Sequence, residues 1–310
     1  MINSVQRPLV SVLIPCYNVS EFVERAVYSI LNQSYDHLEV WLIDDASTDK
    51  TLSILNKIED KRINIVSFEE NTKKIGAVNS VLKKVNGKFI TFQDADDWSD
   101  PDRIAEQVSQ FLLNPDLGIC FTGYKYFGNS NAQPRQIALT DVDLKKEFLN
   151  FWKNRDIIVA PTVCSSMMIT QEVLKSTGGY HEYFRGRVAE DIHWIYRILK
   201  NYPGITVNKP LYHYNIREGS FTQQQFTGKN AKQAYSWHLL SKIIHKDIYE
   251  NIDLLMDVNK EELLKTELLA CEEALTESIL AARQLQENYE RSMSFRIGKL
   301  LLKPIHLFYK

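Results

Sequence analysis

Residues 88–103, KFITFQDADDWSDPDR, place Asp94, Asp96 and Asp97 within four positions, directly after an apolar run. Carboxylates this close repel, so a fold keeps them together where a cation, several hydrogen-bond donors or water offsets the charge. A divalent metal is the economical answer, because hard cations take carboxylate oxygens as ligands. Taken alone, the same three residues are equally accounted for by calcium binding or by loop capping. A second pair, Glu190 and Asp191 in VAEDIHWIYRI, stands where Val188, Ile192, Ile195 and Ile198 recur at helical spacing. Both carboxylates then fall in the first turn of a helix, where the dipole favours negative charge. A catalytic role and a plain helix-start charge pair fit that placement equally.

The elements that must position these groups alternate between strand and helix. Residues 9–14 form a short apolar run between Pro8 and Pro15, the pattern of a buried parallel strand, and Ser20 is placed to cap a helix through Asn32. A second strand over 38–43 ends in Asp44, Asp45, Ala46, Ser47, Thr48 and Asp49, and a helix follows over 51–58. A third strand over 63–68 leads into Glu69, Glu70 and Asn71, then a helix over 76–85, then the strand 88–92 that opens the acidic stretch. Asp100 or Ser99 is placed to cap the next helix, with Pro101 in its first turn and apolar residues through Leu113. Residues 117–127 read as a strand, 141–152 as a helix and 163–170 as a strand, before Gly178 and Gly179 break the chain. Such alternation predicts a mostly parallel, Rossmann-like sheet with helices on both faces and ligands outside the carboxyl ends of the strands. The polar clusters at 16–18, 44–45, 69–71 and 94–97 should therefore meet on one rim.

The first strand leads into PCYNVSEF, which has neither the glycine fingerprint of a dinucleotide fold nor the Gly-Lys-Ser/Thr of a phosphate loop. A phosphate bound here would need a carboxylate-held metal to neutralise it. The net charge of -2 gives no whole-molecule reason to expect nucleic acid as a partner. Four scattered cysteines, Cys16, Cys120, Cys164 and Cys271, suit a reducing cytoplasm, and no run is long and apolar enough to span a bilayer. The N-terminal apolar run is too short for a signal core and ends at Pro15, so a cytoplasmic protein is expected.

PLVSVLIPCYN, IDDASTD, FQDADDWSDPDR and AEDIHWIYR, in that order and over about residues 8–222, resemble the family 2 glycosyltransferases with the GT-A fold. The resemblance implies inverting transfer of a sugar from a nucleotide diphosphate donor to an acceptor hydroxyl, with Mn2+ or Mg2+ as cofactor. It implies a donor site of Pro15, Tyr17, Asn18, Asp45, Lys73, Asn79 and Asp94. Within it, Asp45 reads the base, Asp94 lies near the ribose, and Asp96, with Asp94, holds the metal on the diphosphate. Asp191 matches the family's general base, with Glu190 the adjacent alternative. The chain departs from the pattern in carrying Lys73 and Val78 where glycine and arginine are frequent. In YHYNIREGSFT, Asn215 stands where arginine is frequent and Arg217 where histidine often stands, which leaves His213 and Arg217 without an assigned role. Trp98, Trp194, Tyr180 and Phe184 are of the type that stacks on an acceptor sugar and equally of the type that fills a core.

From residue 230 onward only helix is expected. Leu264, Leu268, Cys271, Leu275, Ile279, Ala282, Leu285 and Tyr289 recur every three or four residues, which suits either a coiled-coil homodimer or a helix packed back on the catalytic domain. The tail 291–310 interleaves Arg291, Arg296, Lys299, Lys303 and Lys310 with apolar residues and carries no acid, the pattern of a helix on an anionic inner leaflet. The expected organisation is a catalytic domain over 1–225, a helical extension over 226–290 and a basic amphipathic tail over 291–310. The expected function is that of a metal-dependent hexosyl- or N-acetylhexosaminyl-transferase, peripheral on the inner face of the cytoplasmic membrane. It would use a UDP-sugar and a glycan or lipid-linked acceptor in bacterial surface polysaccharide synthesis. The alternatives are a nucleotidyltransferase, which normally shows a glycine-rich basic loop after its first strand, and a non-catalytic GT-A-like assembly subunit.

Overall fold

The structure is a computed structural model that describes residues 7–128, 136–137, 144–146, 148–149, 164–216 and 231–291. The chain divides into two compact units, residues 1–223 and 224–310. In the first unit the apolar runs become β1 (Val10–Cys16), β2 (Leu38–Asp44), β3 (Ile63–Ser67) and β4 (Phe89–Phe92), all parallel, with β1 at the centre between β2 and β4. Helices α1 (Val23–Leu31), α2 (Thr51–Leu55) and α3 (Lys73–Leu82) connect them. Val10, Val12, Leu13 and Ile14 are fully buried, and Val23, Ala26, Val27, Ile30 and Leu31 lay one stripe of α1 against the sheet. Each such side chain, when aliphatic and large, contributes about 1.5–3 kcal/mol of burial free energy.

Beyond β4 the sheet changes character. A two-residue strand, β5 (Trp98–Ser99), and α4 (Arg103–Leu113) precede the long β6 (Ile119–Gly128) and the short β7 (Gln136–Ile137). Then come β8 (Met168–Thr170), α5 (Gln171–Thr177), α6 (Glu190–Asn201) and β9 (Gly204–Ile216). Strand β8 lies antiparallel between β4 and β6, β9 runs parallel to β6, and β5 closes antiparallel on β9. The order is β3-β2-β1-β4-β8-β6-β9-β5, with β7 on β6.

Several boundaries differ from those expected. Helix α1 starts at Val23 without a side-chain cap, because Phe22 rather than Ser20 stands at its N-cap; the Ser20 N–H is held by Asp49. Helix α4 starts at Arg103, after a turn in which Asp100 accepts from the Asp102 N–H. Residues 164–166 form a 3-10 turn, so only 168–170 of the expected strand pair in the sheet. Val163 and most of the helix expected over 141–152 lie outside the described residues. Strand β9 has no clear sequence signal, since Asn208, Lys209 and Pro210 interrupt its apolar pattern. Pro210, which has no N–H for a ladder, sits opposite Gly123 where the register against β6 shifts.

In the second unit α7 (Ala231–His245) and α8 (Lys260–Arg291) run antiparallel, as shown by Lys242 pairing with Glu273 and Lys246 with Glu262. Leu239, Leu240, Ile243 and Ile244 of α7 are buried, as are Thr266, Ala270 and Ala274 of α8. Leu264, Leu268, Leu275, Ile279 and Leu285 are exposed, and Cys271 with them. Among the described residues no helix is long and apolar enough to cross a membrane.

Candidate active site

The rim at the carboxyl ends of the parallel strands is made of short loops under backbone strain. Of the five non-glycine residues at positive φ among the described residues, Asn18, Ala46, Lys73 and Ala189 lie here, and only Asn251 lies elsewhere. Such conformations cost on the order of 1–3 kcal/mol each and persist where the surroundings over-determine them, most often at functional sites.

The β1 and β2 loops are stapled together. Asn18 Oδ1 accepts from the Thr48 N–H at 2.8 Å and the Asp49 N–H at 3.3 Å, so this side chain builds the rim. Pro15 lies within β1 in register with Ile43, while Tyr17 is about half exposed on the rim. Asp45, almost fully buried, accepts the Thr72 N–H and hydroxyl on Oδ1 at 2.7 and 2.8 Å, which ties the β3–α3 loop to the end of β2. Its Oδ2 has no partner among the described residues.

After β4 the chain makes a tight turn, with the Asp97 N–H on the Asp94 carbonyl at 3.2 Å, and burial alternates through it. Asp94, Asp96 and Trp98 are half-buried, whereas Ala95, Asp97 and Ser99 are buried. Asp94 and Asp96 are thus both part-open while Asp97 turns inward. Asp97 accepts the Tyr212 hydroxyl at 2.8 Å and the Asn215 N–H at 2.7 Å, and the Tyr212 oxygen in turn accepts the Asp94 N–H at 3.2 Å. Burial, with Asp94 and Asp96 nearby, holds the Asp97 carboxyl well above the usual carboxylate range, opposed by these two donors. Ser165 donates its hydroxyl to Asp94 Oδ2. The Arg25 guanidinium stacks 3.7 Å from the Trp98 ring centroid and reaches the Asp96 carbonyl at 3.4 Å, while His213 stacks on Trp98.

Glu190 and Asp191 open α6 as expected, after Ala189 in left-handed conformation. Asp191 Oδ1 accepts the Ile192 N–H at 2.7 Å, and the Cys164 thiol is hydrogen-bonded to Asp191. Burial, followed by the Asp191 charge, pushes Glu190 up to about 7, against the pull of Lys74. Lys74 connects the two acidic clusters, with Nζ 3.7 Å from Asp94 Oδ1 and 3.9 Å from Glu190 Oε1.

The structure therefore brings Asp94 and Glu190 to one lysine, and places Asp96 and Asp191 beside them in sequence. Two expected donor residues stand apart. Asn79 spends its amide on the Tyr180 backbone, donating to the carbonyl at 2.8 Å and accepting the N–H at 3.0 Å. Lys73 is exposed at the first residue of α3. The lysine that enters the site is its neighbour, legible in retrospect because Lys74, Val78 and Val81 share one helix face and both valines are buried. Ser165, Cys164, Tyr212 and Arg25 also escaped the sequence, since each reaches the site from a distant element. Trp194, Tyr180 and Phe184 are core, with Trp194 edge-on to both Phe92 and Tyr180, while Trp98 is half-buried in its stack. Arg217 lies outside the described residues.

The donor set suits a hard cation. Mg2+ and Mn2+ take oxygen ligands, and Mg2+ is commonly held by one or two carboxylates plus substrate phosphates rather than by an all-protein cage. Two half-open carboxylates with a third turned inward match that description. Among the described residues, no group of three or more His, Cys, Asp or Glu side chains is placed to hold a metal ion by itself.

The chain and its fold are similar to known proteins. The chain is 28% identical to the putative teichuronic acid biosynthesis glycosyltransferase TuaG of Bacillus subtilis, over 74% of this chain and 86% of that protein. It is 38% identical to WfaP of Escherichia coli, a UDP-Glc:alpha-D-GlcNAc-diphosphoundecaprenol beta-1,3-glucosyltransferase, over 37% of this chain and less than half (46%) of that protein's length. The fold is that of the mannosyltransferase PcManGT from Pyrobaculum calidifontis, solved with GDP-Man and Mn2+, with a TM-score of 0.55 and 21% identity. That likeness covers 95% of this chain and 84% of the mannosyltransferase, and identifies the GT-A fold. Residues 11–177, more than half of the chain, match the glycosyl transferase family 2 pattern, and the chain belongs to that family.

Proposed function

We propose that this protein transfers a sugar, with inversion, from a nucleoside diphosphate donor, a UDP-sugar foremost, to a hydroxyl of a glycan or lipid-linked acceptor in bacterial surface polysaccharide synthesis. The observation that carries the reading is that the half-open Asp94 and the helix-start Glu190 meet on one lysine, with Asp96 and Asp191 close to them in sequence. A leaving-group clamp and a base on opposite sides of a site are what in-line displacement at a sugar carbon requires. TuaG supports the polymer class by its name, WfaP the UDP donor and lipid-linked acceptor, and the mannosyltransferase complex the divalent cation.

Asp96 and Asp94 hold Mn2+ or Mg2+, which when bound supplies neutralisation for the charge gained by a departing diphosphate. Asp45 presents its unpartnered Oδ2 to a nucleobase N–H. Asp191, fixed by the Ile192 N–H, takes the proton of the acceptor hydroxyl. The catalytic domain extends to about residue 225. The tail 291–310, which lies outside the described residues after Arg291, attaches the enzyme to an anionic membrane, and the exposed stripe of α8 pairs with a second copy.

Purified protein given a panel of nucleotide sugars should release nucleoside diphosphate only with Mn2+ or Mg2+. Asp96→Asn should remove both metal-dependent nucleotide binding and turnover. A wild type that binds no nucleotide sugar under any condition would favour a non-catalytic assembly subunit instead. Pelleting with anionic liposomes should be lost when the chain is truncated after Glu290, and equal pelleting of both forms would acquit the tail.

A further inference from the structure

Within the clamp-and-base site, Lys74 is the cation that faces both acidic clusters among the described residues. Its ammonium lies 3.7 Å from Asp94 and 3.9 Å from Glu190, both beyond the 2.7–3.2 Å range of an N–H···O hydrogen bond. It makes no hydrogen bond to any protein acceptor among the described residues. Its three N–H donors are thus held in place by charge and left without acceptors, on a side chain that is only 36% exposed. An ion pair serving only stability would close to contact, as Lys209 with Glu106 does at 2.5 Å. An ammonium poised between two carboxylates at near-equal distance is better placed to receive a third oxygen.

We infer that Lys74 is a donor-binding residue whose ammonium hydrogen-bonds an oxygen at the junction of the transferred sugar and the diphosphate. The inference rests on the glycosyltransferase reading above, because the junction lies between clamp and base only if Asp94 and Asp191 have those roles. A cation cannot ligate the metal, so Lys74 shares the work of Asp96 from the other side, with the ligand between them. The oxygen belongs either to the β-phosphate or to a sugar hydroxyl, and both accept from an ammonium. A lysine suits this position because its point charge on a flexible stem follows the oxygen as the bond breaks. The side chain leaves α3 on the face of Val78 and Val81, so the buried part of the helix fixes its origin.

The test measures dissociation constants with full-length protein in MnCl2. The probes are UDP-glucose, UDP-GlcNAc and GDP-mannose, and the nucleoside diphosphate of whichever binds the wild type. Lys74→Met should weaken nucleotide-sugar binding about ten- to hundred-fold, the loss of one charge-assisted hydrogen bond, and Lys74→Arg should restore part of it. Equal loss for the free nucleoside diphosphate assigns the oxygen to the phosphate; loss confined to the nucleotide sugar assigns it to a hydroxyl. Thermal melting of each variant confirms that the protein tested is folded. Unchanged affinity in Lys74→Met, with the wild type binding normally, overturns this inference alone. Failure of the wild type to bind any of the probes overturns the donor reading and this inference with it.

Discussion

The loop at 93–99 and the start of α6 each crowd carboxylates together, and they dispose of the charge in opposite ways. In the loop, neutral donors make the hydrogen bonds: Tyr212 and the Asn215 N–H engage Asp97, and Ser165 engages Asp94, which Lys74 also faces at 3.7 Å. At α6, Asp191 has the Ile192 N–H and the Cys164 thiol, but Glu190 has an ammonium at 3.9 Å and rises to about 7. The first arrangement turns Asp97 inward, where burial raises its carboxyl, and leaves Asp94 and Asp96 part-open, which suits a cation and a diphosphate. The second leaves proton affinity high near neutrality, which suits exchange of a proton.

The sharpest way to break this contrast is Asp191→Asn. Loss of a positioned base lowers turnover by about a hundred- to ten-thousand-fold while donor affinity in Mn2+ stays near wild type. Single-turnover kinetics beside a nucleotide-sugar titration would show it. Near-normal turnover would move the base to Glu190. A smaller effect is expected on the loop side, where Asp97→Ala strips acceptors from the Tyr212 hydroxyl and the Asn215 N–H in a buried setting. Orphaning them should cost about 2–4 kcal/mol in urea unfolding, with Asp97→Asn milder because it keeps one acceptor. A cost under about 0.5 kcal/mol, the size of a surface change, would show that the loop is not held from β9.

The two regions also differed in what could be read beforehand. The parallel half of the sheet was legible because β1 and β4 are almost wholly buried, β2 is buried at all but Glu39 and Trp41, and all three read as short apolar-rich runs; Glu190 and Asp191 were legible because α6 has a strong helical period. Legibility ended where contacts are long-range. Tyr212 sits 115 positions from Asp97, and the β9 segment that carries it is broken by Pro210. Ser165 reaches Asp94 from a 3-10 turn where a strand was expected. Lys73 rather than Lys74 stood out because alignment to a motif ignores helix phase. The positive φ at Lys73 sets where α3 begins, and only then is Lys74 the inward residue.

The smallest expected effect tests the α6 side through stability alone. The Glu190 carboxyl titrates near 4.5 when solvated and at about 7 when folded, raised by burial and by Asp191. Below about pH 4.5 both states carry the proton and the group adds no pH dependence. Between about 4.5 and 7 the unfolded chain releases it while the folded chain keeps it, so the native state binds more protons and stability falls as pH rises. Above 7 the penalty is constant. A shift of this size corresponds to about 1–3 kcal/mol, the lower part of the range reflecting coupling to Asp191 and partial solvation. Glu190→Gln removes the ionisation, so its unfolding free energy relative to wild type should improve by that amount on going from pH 4 to pH 8. Urea unfolding of both proteins at the two pH values, without metal or nucleotide, measures the difference. A wild-type-to-variant gap that is the same at pH 4 and pH 8 would mean that Glu190 is solvated like an ordinary surface carboxylate, and the contrast between the two acidic regions would then rest on Asp191 alone.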